Sequence, residues 1–383
     1  MPARLDGAGR VLKFILDNSL LLLAGAIAGL VWANLDLDRY TRFTHALHFF
    51  VNDIAMVFFF ALVTKEVYEA TLPGGPLSER RQAAMPVLAA IGGMAVPASI
   101  YALFVLWLGR ADELMRGWAI PCATDIAFSY LVARVIFRTG HPAIPFLLLL
   151  AIADDVLGLI VLALFYPQGS VNLGLVAAGL GPALFGAWLL RRTGTKSFWL
   201  YVLGPGLVSW IGLYLGGIHP ALALVPIVPL MPHGRFDLKR FGARPAIRLA
   251  TMEQFEEWWR IPVQVILMMF GLVNAGVPVA SVGPVTAAVT LSLLIGKPIG
   301  VAGATAIGEL FGLRRSSGLN YRALVVLGVT AGIGFTVALF FTTASFPPGP
   351  VLDEAKMGAL LSFLAAPLAI GLGRVLKIRK VSI

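Results

Sequence analysis

The fold of this chain is decided by the stretch Phe146-Leu-Leu-Leu-Leu-Ala-Ile-Ala-Asp-Asp-Val-Leu-Gly-Leu-Ile-Val-Leu-Ala-Leu-Phe165. It carries no charge except for two adjacent carboxylates, Asp154 and Asp155. An apolar run of about 20 residues is long enough to cross a bilayer as a helix. A carboxylate at mid-membrane depth costs roughly 2.5–3.5 kcal/mol on the mildest scale, so such a pair faces water, a counter-ion or its neighbour. Groups of this kind hold a cation or a proton, and we expect the function at this pair.

The composition of the whole chain is that of a membrane protein. Of its 383 residues, 58% are hydrophobic and 13% are charged, and the mean hydropathy is +0.85. Soluble domains carry about 25% charged residues. We therefore predict an all-α integral membrane protein that forms a single domain over residues 1–383. Its twelve candidate spans are 12–33, 50–70, 83–108, 115–136, 143–165, 173–190, 198–214, 217–231, 261–279, 283–308, 321–346 and 355–376.

The basic residues follow the topology of these spans. The net charge is +10, and with the amino terminus placed inside, 23 of the 30 Lys and Arg residues fall in inside segments and 5 in outside segments. Cytoplasmic loops of membrane proteins carry such an excess. Both termini are therefore predicted to be cytoplasmic, and the basic charge does not indicate a nucleic-acid partner. A single cysteine excludes an internal disulfide framework.

Two predicted spans are interrupted near their middle. In the fourth, a proline is followed by Thr124 and Asp125, whose side chains can cap a new half-helix. In the eleventh, Gly332, Gly334 and Thr336 loosen the helix at a similar depth. The two spans run in opposite directions at corresponding places of spans 3–5 and 10–12, which is the pattern of an inverted-repeat transporter. For the eleventh span, close packing of the glycines is the alternative.

Three ionisable residues are expected to meet inside the membrane. Adjacent positions on a helix project about 100° apart, so one of Asp154 and Asp155 is expected to face a water-filled cavity and the other a partner. Lys297, in the tenth span, is the partner candidate. Burial and pairing shift pKa values in opposite directions, so the trio is predicted to exchange protons near physiological pH. A hard cation such as Na⁺ prefers oxygen ligands, and a site that must lose its proton to accept it couples the two fluxes. A purely structural Asp154–Lys297 ion pair is the alternative.

Other polar residues have weaker signals. Asp125 can offset the positive amino-terminal ends of two half-helices, and Lys297 can do the same for negative carboxyl-terminal ends. Glu66, His219 and Glu253 are candidates for a funnel or a pH response. The simpler interpretation of Glu66 is a solvated helix end, that of His219 is a helix boundary, and that of Glu253 is part of an interfacial belt. The sequence has no nucleotide-binding glycine loop and no metal-ligand cluster. We therefore expect neither a cofactor nor enzymatic activity.

A set of motifs matches one known family. They are Ile120-Pro-Cys-Ala-Thr-Asp-Ile-Ala-Phe128, Ala153-Asp-Asp155, Gly217-Ile-His219, Asn274-Ala-Gly276, Gly296-Lys-Pro298 and Gly332-Ile-Gly-Phe-Thr336. Because these motifs occur together and in this order, the chain resembles the NhaA-type sodium/proton antiporters over essentially all twelve predicted spans.

The resemblance implies electrogenic exchange of Na⁺ or Li⁺ for H⁺ by alternating access in the bacterial inner membrane, serving pH and sodium homeostasis. It implies that Asp155 is the principal Na⁺-binding aspartate and that Asp154, its neighbour at the ion site, pairs with Lys297. It also implies that Asp125, beside Thr124, compensates charge where the broken spans four and eleven cross.

The sequence departs from the family pattern in three places. Thr64-Lys65-Glu66 stands where the family usually has Gly-Leu-Glu, which adds a cation near the cytoplasmic funnel. The loop near Asp36–His48 is short, so the β-hairpin that joins some family dimers is expected to be absent. The run Glu253–Trp259 replaces expected histidines before span nine. A homodimer and pH sensing therefore stay open.

Three other functions compete with exchange. A Na⁺-coupled symporter of an organic substrate would take up Na⁺ without proton movement. A membrane sensor would keep the bundle without transport. An intramembrane aspartyl protease would place its carboxylates on two separate helices, whereas here they are adjacent and Phe335 follows Gly334.

Overall fold

A computed structural model describes residues 19–138, 140–233 and 250–378. Within these ranges the chain is helical and contains no strand. The helices are α1, Leu20–Leu35; α2, Leu37–Thr71; α3, Arg80–Trp107; α4, Ala111–Cys122; α5, Ile126–Ile136; α6, Ala143–Phe165; α7, Leu173–Arg192; α8, Phe198–Leu215; α9, Thr251–Asn274; α10, Pro284–Leu310; α11, Tyr321–Ala331; α12, Phe335–Ser345; and α13, Pro350–Val375.

The described residues confirm an all-α, multi-pass membrane protein. Seven of their helices are long and apolar enough to cross a membrane, and nine spans result if each of two bent pairs, α4 with α5 and α11 with α12, counts as one. The predicted first span begins at residue 12, outside the described ranges, and α1 covers its remainder. Helix α9 starts at Thr251, well before the predicted start at 261, because the run Glu253–Trp259 is helical. The basic segment 234–249 also lies outside the described residues.

The predicted eighth span, 217–231, is wrong as a continuous helix. It consists of two 3₁₀ turns, Pro220–Leu222 and Val228–Leu230, joined by turns. Each proline removes a backbone N–H donor and disfavours helix at the residue before it. With prolines in both turns and Pro226 between them, a regular helix cannot form despite the apolar composition.

The start of the second span also differs from the prediction. The segment interpreted as a short loop near Asp36–His48 is helical, because α2 begins at Leu37 and Asp36 caps it by accepting a hydrogen bond from the Arg39 backbone N–H (3.0 Å). Asp53 lies in a π-helical turn, Phe50–Ala55, inside the continuous α2. As expected, no β-hairpin is present at this position.

Helix α10 packs on α3 at backbone-to-backbone distance. A Cβ atom added to Gly300 would lie 2.1 Å from the carbonyl oxygen of Gly92, and one added to Gly296 would lie 2.7 Å from Cα of Pro97. Small residues permit such approaches between membrane helices. A π-helical turn, Ser292–Gly296, immediately precedes Lys297 in α10. The close packing and this turn together bring Lys297 to the centre of the bundle.

Gly300→Ala is expected to lower the thermal stability of the protein in detergent, whereas Gly303→Ala is not. The new methyl group at Gly300 would overlap the Gly92 carbonyl, and overpacking of this kind costs typically about 1–3 kcal/mol or more. Gly303 lies in the same helix and has no heavy atom within 4 Å of an added Cβ. The midpoints of thermal unfolding of the two variants are compared with that of the unaltered chain. Equal midpoints for both variants would contradict the packing described for α3 and α10.

The connections between helices gather at two opposite ends of the bundle. At one of them, which we call the basic end, α2 leads into α3, α5 into α6, and α7 into α8. The Thr251 hydroxyl at the start of α9 lies 3.3 Å from the Lys196 carbonyl oxygen, and His233 Nδ1 lies 3.8 Å from a Glu69 carboxylate oxygen. Arg191 and Arg192 end α7 here. Arg191, Arg192 and Lys196, which the sequence assigns to an inside segment, thus lie at this end.

Candidate functional site

The two bent helix pairs meet at their breaks. Helices α4 and α5 form an angle of 51°, and α11 and α12 form an angle of 50°. The Asp125 backbone N–H donates to the Ile333 carbonyl at 2.7 Å, which joins the two breaks directly. A Cβ atom at Gly334 would lie 2.8 Å from the Ala123 carbonyl oxygen, and one at Gly332 would lie 3.0 Å from that of Leu293. Glycine is needed at Gly334 because of this close approach. Its backbone conformation does not require glycine, since its φ of −103° is not left-handed.

Asp125 lies at the amino-terminal ends of two half-helices. Its Oδ1 accepts a hydrogen bond from the Phe128 backbone N–H of α5 at 3.3 Å. Its Oδ2 accepts from the Thr336 backbone N–H of α12 at 3.3 Å and from the Thr336 hydroxyl. The first N–H groups of a helix have no partner within the helix and carry partial positive charge. One carboxylate therefore serves the free N–H groups of both half-helices.

Asp154 is held by a compact set of hydrogen bonds. Lys297 Nζ donates to Asp154 Oδ2 at 2.6 Å and to the Thr124 hydroxyl oxygen at 2.9 Å. That hydroxyl lies 2.7 Å from Asp154 Oδ2 and 2.9 Å from the Ala331 carbonyl oxygen, so it can donate its proton to either of them. The side-chain exposure of Lys297 is 0% and that of Asp154 is 1%. Asp154 Oδ1 is buried and has no partner among the described residues.

Asp155 points elsewhere. It makes no hydrogen bond or ion pair with any described residue, and it is partly exposed in a cavity of about 560 Å³. One water molecule needs only about 10–15 Å³, so this cavity can hydrate a carboxylate. The division expected from the 100° turn between neighbours is the one observed, with Asp154 paired and Asp155 facing the cavity.

The cavity runs from Asp155 towards the basic end. At its inner part it is lined by Thr124, Asp125 and Thr336. Nearer the end of α2 it is lined by Lys65 and Glu66. Charged and polar groups therefore line the cavity both beside Asp155 and near the end of α2, together with apolar side chains such as Phe59 and Leu267.

An apolar layer lies on the opposite side of the two aspartates. A second cavity there has a volume of only about 20 Å³ and is lined by Asp154, Asp155 and apolar side chains that include Phe341. The rings of Phe60 and Phe340, which also line it, pack edge to face with their centroids 4.9 Å apart. This space accommodates about one water molecule. In this conformation Asp155 is approached from the basic end.

Two of the residues considered for the funnel do not line either cavity. His219 is buried near the opposite end, where its ring lies 4.8 Å from that of Phe340 and its Nδ1 lies 3.9 Å from Asp53 Oδ1. Glu253 accepts a hydrogen bond from the Ala250 backbone N–H at 2.6 Å, which caps the start of α9. Of the three candidates, the structure brings only Glu66 into the cavity with Asp155.

Two contacts of the site could not be foreseen from the sequence. The bridging position of Thr124 between Lys297 and Asp154 depends on how α4 and α5 are arranged at their break. The contact of Lys65 with Glu256 joins α2 to α9 across a separation of 191 residues. Lys65 stands out in the sequence as a cation within an apolar span, but no periodicity in α9 singles out Glu256 as its partner.

The comparison with known families agrees with this geometry. Residues 10–373 match the model of a family described as Na⁺/H⁺ antiporter 1. The chain belongs to this family. It is 42% identical over 417 residues to the Na(+)/H(+) antiporter NhaA of Jannaschia sp. (strain CCS1), with 97% of this chain and 99% of the relative covered. It is also 42% identical over 381 residues to the NhaA of Geotalea uraniireducens (strain Rf4), with coverages of 96% and 97%. The chain is thus a multi-pass membrane protein of a bacterial antiporter family.

A solved structure supports the fold. The sodium proton antiporter MjNhaP1 from Methanocaldococcus jannaschii at pH 8 superposes with a TM-score of 0.57, covering 95% of this chain and 92% of that one. At 14% sequence identity, this similarity concerns the arrangement of helices and not individual side chains.

Proposed function

We propose that this chain exchanges Na⁺ for H⁺ across the membrane and that the two ions compete for Asp155. The observation that carries the proposal is the Asp155 carboxylate, which faces a cavity of about 560 Å³ without a protein partner among the described residues, while its neighbour Asp154 is paired with Lys297. Membership of the antiporter family supports it independently. In this view the protein is a transporter and not an enzyme.

The chemistry of exchange follows from a single carboxylate. Na⁺ is a hard cation that binds oxygen ligands, so it requires the deprotonated form of Asp155. A proton on the same oxygens removes the charge that attracts Na⁺, so the two ions exclude each other. The buried Oδ1 of Asp154, which has no hydrogen-bond partner among the described residues, is a candidate second oxygen ligand for Na⁺. Lys297 and Asp154 form a second proton-exchanging pair, which agrees with the electrogenic exchange implied by the family resemblance.

The broken helices provide the conformational part of the proposal. Alternating access would move the breaks of predicted spans four and eleven relative to the other helices, with Asp125 offsetting the helix ends in both states. Gly332, Gly334 and Thr336 belong to the break that has to adapt. The full proposal includes twelve spans in one domain over residues 1–383, with inverted repeats in spans 3–5 and 10–12 and with spans four and eleven crossing.

The surroundings of the protein are part of the same proposal. We place it in the lipid bilayer of the bacterial inner membrane with both termini cytoplasmic, so that the basic end and its cavity face the cytoplasm. Li⁺ is an alternative cargo to Na⁺, and a homodimer is the proposed assembly. Transport needs no resident cofactor, because the transported ions themselves supply the charge.

We expect purified protein in proteoliposomes with an interior pH dye to respond to NaCl and LiCl but not to KCl or choline chloride. The vesicles are loaded with acid inside, and external Na⁺ or Li⁺ that enters through the protein drives protons out. Protein-free vesicles are the control for leakage. A response to all four salts, or to none of them, would overturn the proposal. Na⁺ uptake without proton movement would favour the symporter.

A further inference from the structure

Lys65 lies at the mouth of the cavity and is held by two carboxylates. Its Nζ is 2.5 Å from Oε2 of Glu256 on α9 and 2.7 Å from Oε2 of Glu69, one turn further along α2. The Lys65 side chain is 6% exposed, whereas those of Glu69 and Glu256 are 31% and 44% exposed. The ammonium is therefore fixed between acidic groups that solvent reaches.

This cluster stands on the route to the ion site. Lys65, Glu66 and Glu256 line the same cavity as Asp155, and Glu66 is exposed to it. Arg260, one turn beyond Glu256 on α9, lines it as well. If the ammonium were absent, the carboxylates of Glu66 and Glu256 in the cavity and of Glu69 beside it would outnumber the cation of Arg260. A cleft with an excess of one sign of charge and low-dielectric walls concentrates ions of the opposite sign.

We propose that Lys65 is a tethered counter-ion that occupies the place of a cation among these carboxylates and thereby raises the Na⁺ concentration needed for transport. The inference rests on the proposed exchange function and concerns the apparent KM for Na⁺, not the chemistry at Asp155. The short contacts to Glu69 and Glu256 keep the positive charge at the opening. Na⁺ arriving from the basic end therefore meets a partly neutralised entrance.

The test compares Lys65→Met with Lys65→Arg in proteoliposomes oriented so that Na⁺ is offered at the basic end. At low ionic strength, Lys65→Met is expected to lower the KM for Na⁺ roughly threefold to tenfold, as expected for removing one charge from a partly screened cleft. Vmax should stay near that of the unaltered chain. Raising the ionic strength with choline chloride should shrink the difference, because salt at about 1 M shortens the Debye length to about 3 Å. Lys65→Arg keeps the charge and should behave like the unaltered chain.

A second variant keeps the inference testable if Lys65→Met does not fold. Glu256→Gln leaves the ammonium in place with one carboxylate fewer, so it is expected to raise the KM for Na⁺. The double variant Lys65→Met/Glu256→Gln should lie between the two single variants. An unchanged or higher KM in Lys65→Met, or a shift that persists at high ionic strength, would overturn the inference.

Failure of the inference and failure of the proposed function give different results. If the unaltered chain exchanges Na⁺ for protons but Lys65→Met has the same KM, only the role of Lys65 is lost. If the unaltered chain shows no Na⁺-driven proton movement, the proposed function itself fails, and with it the inference that rests on it.

Discussion

Asp155→Asn is expected to abolish Na⁺-driven and Li⁺-driven proton movement in proteoliposomes. The amide has nearly the same shape as the carboxylate, but it neither carries the negative charge that attracts Na⁺ nor releases a proton. We expect a loss of at least roughly 100-fold, since even outer-shell partners of a bound metal ion contribute 10–100-fold. The measurement is the initial rate of dye response after addition of NaCl.

Asp112→Asn is the matched control for this variant. Asp112 carries the same chemical group, but it is exposed in α4 near the end of the bundle opposite to the cavity. Its replacement is expected to leave the rate unchanged. Because Asp155 has no hydrogen-bond partner among the described residues, Asp155→Asn should also retain the thermal stability of the unaltered chain. Exchange at the normal rate in folded Asp155→Asn would reject the assigned role.

Lys297→Met is expected to destabilise the protein strongly and to slow exchange. Methionine fills a similar volume but leaves the fully buried Asp154 without its counter-ion. Removing one partner of a buried ion pair costs roughly 3–5 kcal/mol, because the remaining charge stays uncompensated. The midpoint of thermal unfolding in detergent should fall clearly below that of Lys196→Met, in which an exposed lysine is replaced.

Adding Asp154→Asn to Lys297→Met should recover part of the lost stability. The double variant no longer contains an unpaired charge in this position, so the penalty for burying it disappears. Exchange is not expected to recover fully, because the proposed second proton-exchanging pair is absent. Equal unfolding midpoints for Lys297→Met and the double variant would show that the Asp154–Lys297 contact contributes little electrostatic stabilisation.

Much of the site could be predicted because ionisable residues are so costly in a membrane. Asp154, Asp155 and Lys297 stand out against an apolar background, and the 100° turn between neighbours already divides the two aspartates between a partner and a cavity. The placement of Asp125 at the start of α5 follows from a capping residue after a proline. These inferences are local, since each depends on a few consecutive residues and on their predicted depth in the membrane.

The remaining features depend on contacts between distant segments. Hydropathy alone marks 217–231 as a span, but its prolines impose 3₁₀ turns that only the surrounding helices can stabilise. The bond from Lys65 to Glu256 requires the particular rotation of α9 against α2, whereas the bond to Glu69 is made within α2 one turn away. His219 is a candidate for the funnel or a pH response with a helix boundary as the simpler interpretation, and it caps the 3₁₀ turn Pro220–Leu222 near the opposite end of the bundle, outside the cavity. The hydrophobic periodicity of a single sequence does not show how one helix is rotated against another.

The π-helical turn Ser292–Gly296 has a consequence for insertions and deletions in this chain. A wide turn of this kind accommodates one residue more than a regular helix, and each residue of a regular helix rotates the following side chains by about 100°. Loss of a single residue here would let α10 continue as a regular helix and leave the ammonium beside its carboxylate, whereas conversion of the turn to a regular helix at unchanged chain length would rotate Lys297 by about 100° away from Asp154. The ion pair thus depends on the π-helical geometry of this segment as well as on the identity of its two members.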